Sequence, residues 1–313
     1  MILVRLDITK KIGTGHFRRM DNLANYMSST RFIFLIYTDN RDSQILCNRQ
    51  IFYTSKKDEY DDIRTILEQY SINTIILDML HYEKGYIEKI KKITKRKIVS
   101  FHEYNDISKH SDLKINYNLF NGFENVKDPT FLTGYKYIIF NDEIEKYRNN
   151  SAQDYVFVSF GGSDPSKLTS KFIIKVASKL PETNFLIHIG NFNADKISPC
   201  ANVQIVYRPE NLFKHIAGAK LAVISGGNMM YESIYLGVPS VVIAHNKHQE
   251  TFSMNANKYG CVSYLGLGNN IDYNSLKDDI KNKIFNCDSE CTIIIDNKGK
   301  ERIKEAILGL SVL

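Results

Sequence analysis

Ile12-Gly13-Thr14-Gly15-His16-Phe17-Arg18-Arg19 is the stretch whose reading decides the fold. Before it stands Ile2-Leu3-Val4-Arg5-Leu6-Asp7, an apolar run of strand character. After it, apolar residues recur at Phe17, Met20, Leu23, Ala24 and Met27, the spacing of one helix face. The order is therefore strand, glycine loop, helix. Gly13 and Gly15 let the loop turn tightly and approach a ligand, and the amides at the helix start favour an anion. His16 stands where loop becomes helix. The positive end of the helix dipole opposes a second positive charge there, which suits a neutral imidazole acting as a general base. The same residues also read as a plain turn with a polar cap, and spacing alone does not separate the two.

Outward from this stretch, apolar runs alternate with helical patterns up to about residue 145. Residues 31–37, 74–78 and 97–101 read as strands, and 61–70 and 86–93 as helices. Strands nearly continuous in Val, Ile and Leu imply burial on both faces, as in a parallel sheet. Their alternation with helices implies a doubly wound α/β domain, which binds ligands beyond the carboxyl ends of its strands. Asp7, His16, Asp78 and His102 all follow strands and could share one crevice.

The polar, unpatterned stretch 146–154 reads as a linker, so the expected domains are 1–148 and 149–313. In the second, 155–160 is a strand followed by Gly161-Gly162-Ser163-Asp164-Pro165, with Ser163 or Asp164 capping a helix from about 166. Strands follow at 184–189, 203–206, 221–225 and 240–244, and helices at 249–259, 276–285 and 298–308. Gly226-Gly227-Asn228-Met229 before a helix reads as a diphosphate cradle. Glu232, read as about two turns into that helix, is placed to accept the hydroxyls of a ribose. None of the glycine loops is a P-loop, and Arg18 stands where a dinucleotide fingerprint needs its third glycine.

The formal net charge of +6 is spread along the chain, which suits an acidic small molecule at least as well as nucleic acid. The 19 Tyr and 17 Phe do not cluster with basic residues, so base stacking is not expected. No apolar run is long enough to span a membrane, and the opening is a charged strand rather than a signal peptide. The five cysteines are scattered without metal spacing, and reduced thiols of a cytoplasmic protein are the expected state. His245-x-x-His248 lacks a third nearby ligand, so no metal is expected there.

These motifs carry a resemblance. Arg5-x-Asp7 with Ile12-Gly13-Thr14-Gly15-His16-x-x-Arg19 resembles the opening of the UDP-sugar hydrolases of pseudaminic acid biosynthesis. The likeness continues through Gly134-x-x-Tyr137 with Asp142-Glu143, and through Ser159-Phe160-Gly161-Gly162-Ser163-Asp164. It ends in Ser225-Gly226-Gly227 with Glu232 and in Gly237-Val238-Pro239, covering about residues 1–265. Related chains include spore-coat polysaccharide glycosyltransferases and, more distantly, the N-acetylglucosaminyl transferase of peptidoglycan synthesis.

The resemblance implies a GT-B fold, two Rossmann-like domains facing a cleft, with the last helix packing back on the first. It implies that His16 activates the water that displaces UDP from a 2,4-diacetamido-trideoxy sugar, with inversion and without metal or other cofactor. Gly226, Gly227, Asn228 and Met229 would hold the diphosphate and Glu232 the ribose. Arg5, Asp7, Gly13, Gly15 and Arg19 would line the cleft from one side, and Gly161, Gly162, Asp164 and His245 from the other.

The sequence departs from the family at Asp78-Met79-Leu80 before His81-Tyr82, at His102-Glu103 and at Asn228-Met229. The nucleotide half is thus kept better than the sugar half. Transfer of the sugar to an acceptor other than water, or binding without catalysis, are the alternative readings.

Overall fold

A computed structural model describes residues 1–9, 12–39, 48–102, 110–118, 128–162, 164–190, 200–207, 211–285 and 291–310. Glu103 and Ser163, named above, lie outside the described residues. The chain divides into two compact units, 1–141 with 297–313, and 142–296.

The first unit runs β1 (Ile2–Ile8), α1 (Gly15–Tyr26), β2 (Phe32–Thr38), β3 (Gln50–Thr54), α2 (Glu59–Gln69), β4 (Thr74–Asp78), α3 (Tyr86–Ile93), β5 (Lys97–Phe101), β6 (Leu113–Asn116) and β7 (Phe131–Thr133). Its strands are parallel, in the order β3-β2-β1-β4-β5-β6-β7. Leu3, Leu35, Ile75, Leu77 and Ile98 pack on one face against Ile63 and Ile66 of α2 and Ile87 and Ile90 of α3. On the other face Phe17 of α1 meets Phe34 of β2, ring centroids 5.4 Å apart. Helices on both faces explain why β1, β2 and β4 are almost wholly apolar.

Strand order reverses between β1 and β4, which makes their carboxyl ends the switch point where such sheets bind ligands. The register pairs Leu6 with Asp78. The glycine loop after β1 and the carboxylate that ends β4 therefore meet at that point.

The second unit opens with a 3-10 helix, Asp142–Tyr147. It continues with β8 (Gln153–Ser159), α4 (Leu168–Lys175), β9 (Phe185–Ile189), β10 (Val203–Tyr207), α5 (Leu212–Ala217), β11 (Ala219–Ser225) and α6 (Asn228–Tyr235). Then come β12 (Ser240–Ala244), α7 (Lys247–Lys258), β13 (Ser263–Leu267) and α8 (Tyr273–Phe285). Its sheet is also parallel, in the order β10-β9-β8-β11-β12-β13. Here the reversal falls between β8 and β11, so the loops at Gly161-Gly162 and Gly226-Gly227 stand at this unit's own switch point.

Two sequence expectations are corrected. The boundary expected after residue 148 falls at 141, although the polar stretch 146–154 is exposed apart from the half-buried Tyr147. Tyr235 donates its hydroxyl to Glu145, and Tyr147 donates to Asn211 Oδ1 at 3.2 Å, so these residues pack on the second unit. The last helix packs on the first unit, as the resemblance implied, so the second unit ends at 296 rather than 313. This helix, α9 (Gly299–Gly309), lies beside α1 and the turn Tyr135–Tyr137. Lys300 of α9 is buried and donates to the Phe140 carbonyl at 2.8 Å.

The second correction concerns the thiols: Cys261 and Cys291 form a disulfide, with Cα atoms 4.2 Å apart. They meet because the chain at Thr292 folds back on the end of α7, its amide donating to the Tyr259 carbonyl at 3.1 Å. Cys200 is a thiol. Among the described residues no helix is long and apolar enough to cross a membrane.

Candidate functional site

Gly13 adopts φ +77°, a left-handed conformation in which a side chain is strained, and so turns the chain from β1 into α1. Gly15 then opens α1 and His16 lies in its first turn, buried. His16 Nδ1 is 2.8 Å from Asp78 Oδ1. Arg19, one turn further along α1, donates from Nε to Asp78 Oδ2 at 2.7 Å and from Nη2 to Oδ1. Its guanidinium lies over the rings of Phe101 and Tyr117, 5.6 and 4.9 Å from their centroids. Burial alone would raise the Asp78 carboxyl, but Arg19 and then His16 outweigh it and hold the group below the usual carboxylate range.

Arg19 Nη2 also lies 2.8 Å from His16 Nδ1. Arg19 only donates and an ionised Asp78 only accepts, so Nδ1 can satisfy one of them. Arg19 already donates to Asp78 Oδ1. Its approach to Nδ1 follows from both groups meeting at that oxygen, and a proton on Nδ1 shared with Asp78 leaves all three matched. That tautomer puts the ring's lone pair on Nε2. A buried carboxylate that orients a histidine is the arrangement a general base requires.

Arg5 is buried and ion-paired to Glu59 of α2 and, at 2.6 Å, to Asp7. Tyr86 of α3 donates to the same Glu59. The resemblance placed Arg5 and Arg19 along the cleft. In the structure Arg5 supports Asp7 and Arg19 supports Asp78.

The single crevice expected for Asp7, His16, Asp78 and His102 divides in two. Asp78 pairs in register with Phe101, whose ring lies on the Arg19 side of the sheet. His102, the next residue, faces the opposite side and packs on Tyr82 at 5.1 Å. Its Nε2 is 2.7 Å from Ser100 Oγ. Burial, and then Lys114, push its pKa from 6.5 down to about 4.

A depressed histidine makes stability fall in acid. Between about pH 6.5 and 4 the unfolded chain binds a proton that the folded chain refuses. Stability is full above that window and should fall across it by about 3 kcal/mol, at ~1.4 kcal/mol per unit. Urea midpoints at pH 7 and pH 4.5 check this for the wild type and His102→Gln. The wild type should lose more, and equal losses would remove His102 as the cause.

In the second unit Asp164 accepts from the amides of Leu168 and Thr169, both at 2.8 Å, and so caps α4. His245 Nε2 donates to the Phe160 carbonyl at 2.8 Å and lies 4.0 Å from Asp164 Oδ1. The His245 amide donates to Gln249 Oε1 at 2.9 Å. Gly226 packs tightly on α7: a Cβ there would fall 2.3 Å from Ser253 Oγ and 3.0 Å from the Gln249 carbonyl. His245 and Gln249 thus join the loop carrying Gly161 and Gly162 to the loop carrying Gly226 and Gly227.

The Gly227 amide donates to Ser225 O at 2.9 Å, closing the turn. The amides of Asn228 and Met229 open α6, where no intrahelical acceptor exists for them. Glu232 stands four residues after Asn228, about one turn into α6 rather than two, because the helix begins after the glycine pair. Among the described residues no group of three His, Cys, Asp or Glu side chains could hold a metal ion.

Sequence reasoning placed Asp78 in the crevice without giving it a role, and missed Glu59 and Gln249. The signal for Asp78 was present, as a carboxylate ending an apolar strand.

Two parallel-sheet α/β units with glycine loops at their switch points make a GT-B-like fold. Spinosyn rhamnosyltransferase SpnG complexed with thymidine diphosphate aligns with a TM-score of 0.67 at 11% identity, over 99% of this chain and 96% of that one. UDP-GlcNAc 2-epimerase from Neisseria meningitidis aligns with a TM-score of 0.65 at 12% identity, over 99% and 100%. No protein-family model matches the chain.

Among curated proteins, its homologues include the UDP-2,4-diacetamido-2,4,6-trideoxy-beta-L-altropyranose hydrolase of Campylobacter jejuni, 25% identical over 80% of this chain and 93% of that protein. The spore coat polysaccharide biosynthesis protein SpsG of Bacillus subtilis is 26% identical over 82% and 80%. Protein MJ1062 of Methanocaldococcus jannaschii is 25% identical over 99% of this chain, which spans 66% of that protein's length.

Proposed function

We propose that this chain is a nucleotide-sugar enzyme of surface-polysaccharide or nonulosonic acid synthesis that hydrolyses a UDP-linked 2,4-diacetamido-trideoxy sugar. The observation that carries the reading is His16 Nδ1 at 2.8 Å from the buried carboxylate of Asp78, at the switch point of a parallel sheet. The likeness to the Campylobacter jejuni hydrolase supports the substrate class.

In this reading His16 Nε2 takes a proton from water as its oxygen bonds to the anomeric carbon. The bond from that carbon to the phosphate oxygen breaks on the opposite face, and UDP leaves with its electron pair. Asp78 stabilises the imidazolium that forms. The amides of Asn228 and Met229 meet the departing diphosphate, and Glu232 accepts from the ribose hydroxyls. No step requires a metal.

Incubation with a panel of UDP- and CMP-linked diacetamido sugars, followed by NMR of the anomeric proton, tests the reading. UDP and inverted free sugar should appear without acceptor. Release that depends on an added acceptor would favour a transferase, in which His16 deprotonates an acceptor hydroxyl. The departures at His102 and Asn228-Met229 are what keep that second reading in view. No turnover with any donor would mean a binding protein.

Glu232→Ala should weaken UDP binding by about 1–3 kcal/mol, as lost charge-assisted hydrogen bonds do. Calorimetry showing unchanged affinity would take Glu232 out of the site. A cytoplasmic setting belongs to the same proposal. Counting the thiols of the protein as isolated tests it: free Cys261 and Cys291 agree with that setting, and a retained disulfide counts against it, because cytosolic thiols are normally kept reduced.

A further inference from the structure

We propose that His102 and Asn116 form a two-point notch for a neutral hydrogen-bonding substituent of the sugar, an acetamido amide or a hydroxyl. This rests on the nucleotide-sugar reading above. The two residues are neighbours across β5 and β6. Phe101 pairs with Ile115, and the His102 amide donates to the Ile115 carbonyl at 2.8 Å. Both side chains are enclosed, His102 at 1% and Asn116 at 0% exposure. His102 Nδ1 and Asn116 Nδ2 nevertheless have no hydrogen-bond partner among the described residues. Folded proteins rarely leave buried polar atoms unmatched, and here two belong to residues that are neighbours across β5 and β6.

The surroundings fix what each atom offers. Ser100 donates its hydroxyl proton to Ser111 Oγ at 2.6 Å, so Ser100 Oγ accepts from His102 Nε2, 2.7 Å away. With the proton on Nε2, Nδ1 is an acceptor. Asn116 Oδ1 accepts from the Asn118 amide at 3.2 Å, which sets the amide orientation and makes Nδ2 a donor.

Burial and the nearby Lys114 keep the ring neutral, and Lys114 is itself paired with Asp128 at 2.9 Å. Tyr82 holds the ring's position, its hydroxyl lying 2.8 and 2.7 Å from the carbonyls of Leu77 and Phe101. An anion would face the lone pair of Nδ1, and a cation would face the Asn116 amide protons. A hydroxyl or an amide matches both atoms at once. His102 follows the strand next to Asp78 at the same carboxyl edge, its side chain on the other face of the sheet.

The test is 15N NMR of the full chain labelled at histidine, with His102 assigned by His102→Gln. N-acetylglucosamine and UDP-N-acetylglucosamine are the probes, and calorimetry follows binding. Nδ1 should move upfield as it gains a hydrogen bond, a change that a purely structural histidine would not make. Asn116→Ala should weaken UDP-N-acetylglucosamine about 10-fold and leave UDP within about twofold.

If UDP-N-acetylglucosamine binds and Nδ1 stays still, the notch is refuted while the nucleotide reading stands. If only the free sugar binds and moves Nδ1, the notch stands and the nucleotide reading fails. If neither probe moves Nδ1, because an internal water already fills the place or because nothing enters it, the proposal is overturned. Should Asn116→Ala not fold, the NMR result on the unmodified chain decides.

Discussion

His16→Ala should lower turnover roughly 100- to 10,000-fold, the usual range for a lost general base. Breaking the bond between the anomeric carbon and the phosphate oxygen leaves positive charge on the sugar ring. UDP is a fair leaving group, and amides at a helix start can stabilise its charge. What neutral water lacks is a base, and a histidine oriented by a buried carboxylate supplies one. UDP affinity should change little, because the proposed nucleotide contacts lie on the loops after β8 and β11. Single-turnover kinetics with the diacetamido substrate, beside a UDP titration of the variant, measures both. Near-normal turnover of the variant would place the base elsewhere.

Asp78→Asn should be nearly as damaging to turnover, about 100-fold or more, for a different reason. The asparagine keeps the volume but presents an amide to His16. Nδ1 can then accept from that amide, which puts the ring proton on Nε2 and removes the base. The same change deprives the buried Arg19 of its carboxylate, so about 3–5 kcal/mol of stability should go with it. The two effects separate by experiment. Urea unfolding reads the loss of stability, and 15N shifts of His16 read the tautomer at a temperature where the variant is folded. Adding His16→Ala to Asp78→Asn should cost little further activity, because the pair acts as a unit. Additive losses would count against it.

The sequence carried much of the fold and part of the site. Glycine loops between apolar strands and amphipathic helices pointed to both switch points, since a strand, a turn and a helix each have a local period. β3 and β13 escaped notice because they are half-buried edge strands of mixed composition, with a glycine inside β13. Arg5 and Arg19 were placed at the cleft by the resemblance of their motif. Their actual partners lie 54 and 59 residues along the chain, at Glu59 and Asp78, a distance no local pattern crosses. Alternation along β1 does place Arg5 on the α2 face, and with it the site of its neutralisation. His102 and Asn116 come together only through the β5–β6 register.

The return of α9 to the first unit has a consequence for synthesis. Residues 142–296 have all of their own strands before residue 297 is made, so the second unit can fold while the chain still grows. The first unit cannot be complete at that stage, although it begins the chain. The side that receives α9, with Tyr26 of α1 and the Phe140 carbonyl awaiting Lys300, waits for a segment translated after the whole second unit. A ribosome-bound chain halted before residue 297 should therefore hold one finished unit and one open one. In the cell, chaperones would meet the beginning of this protein rather than its middle.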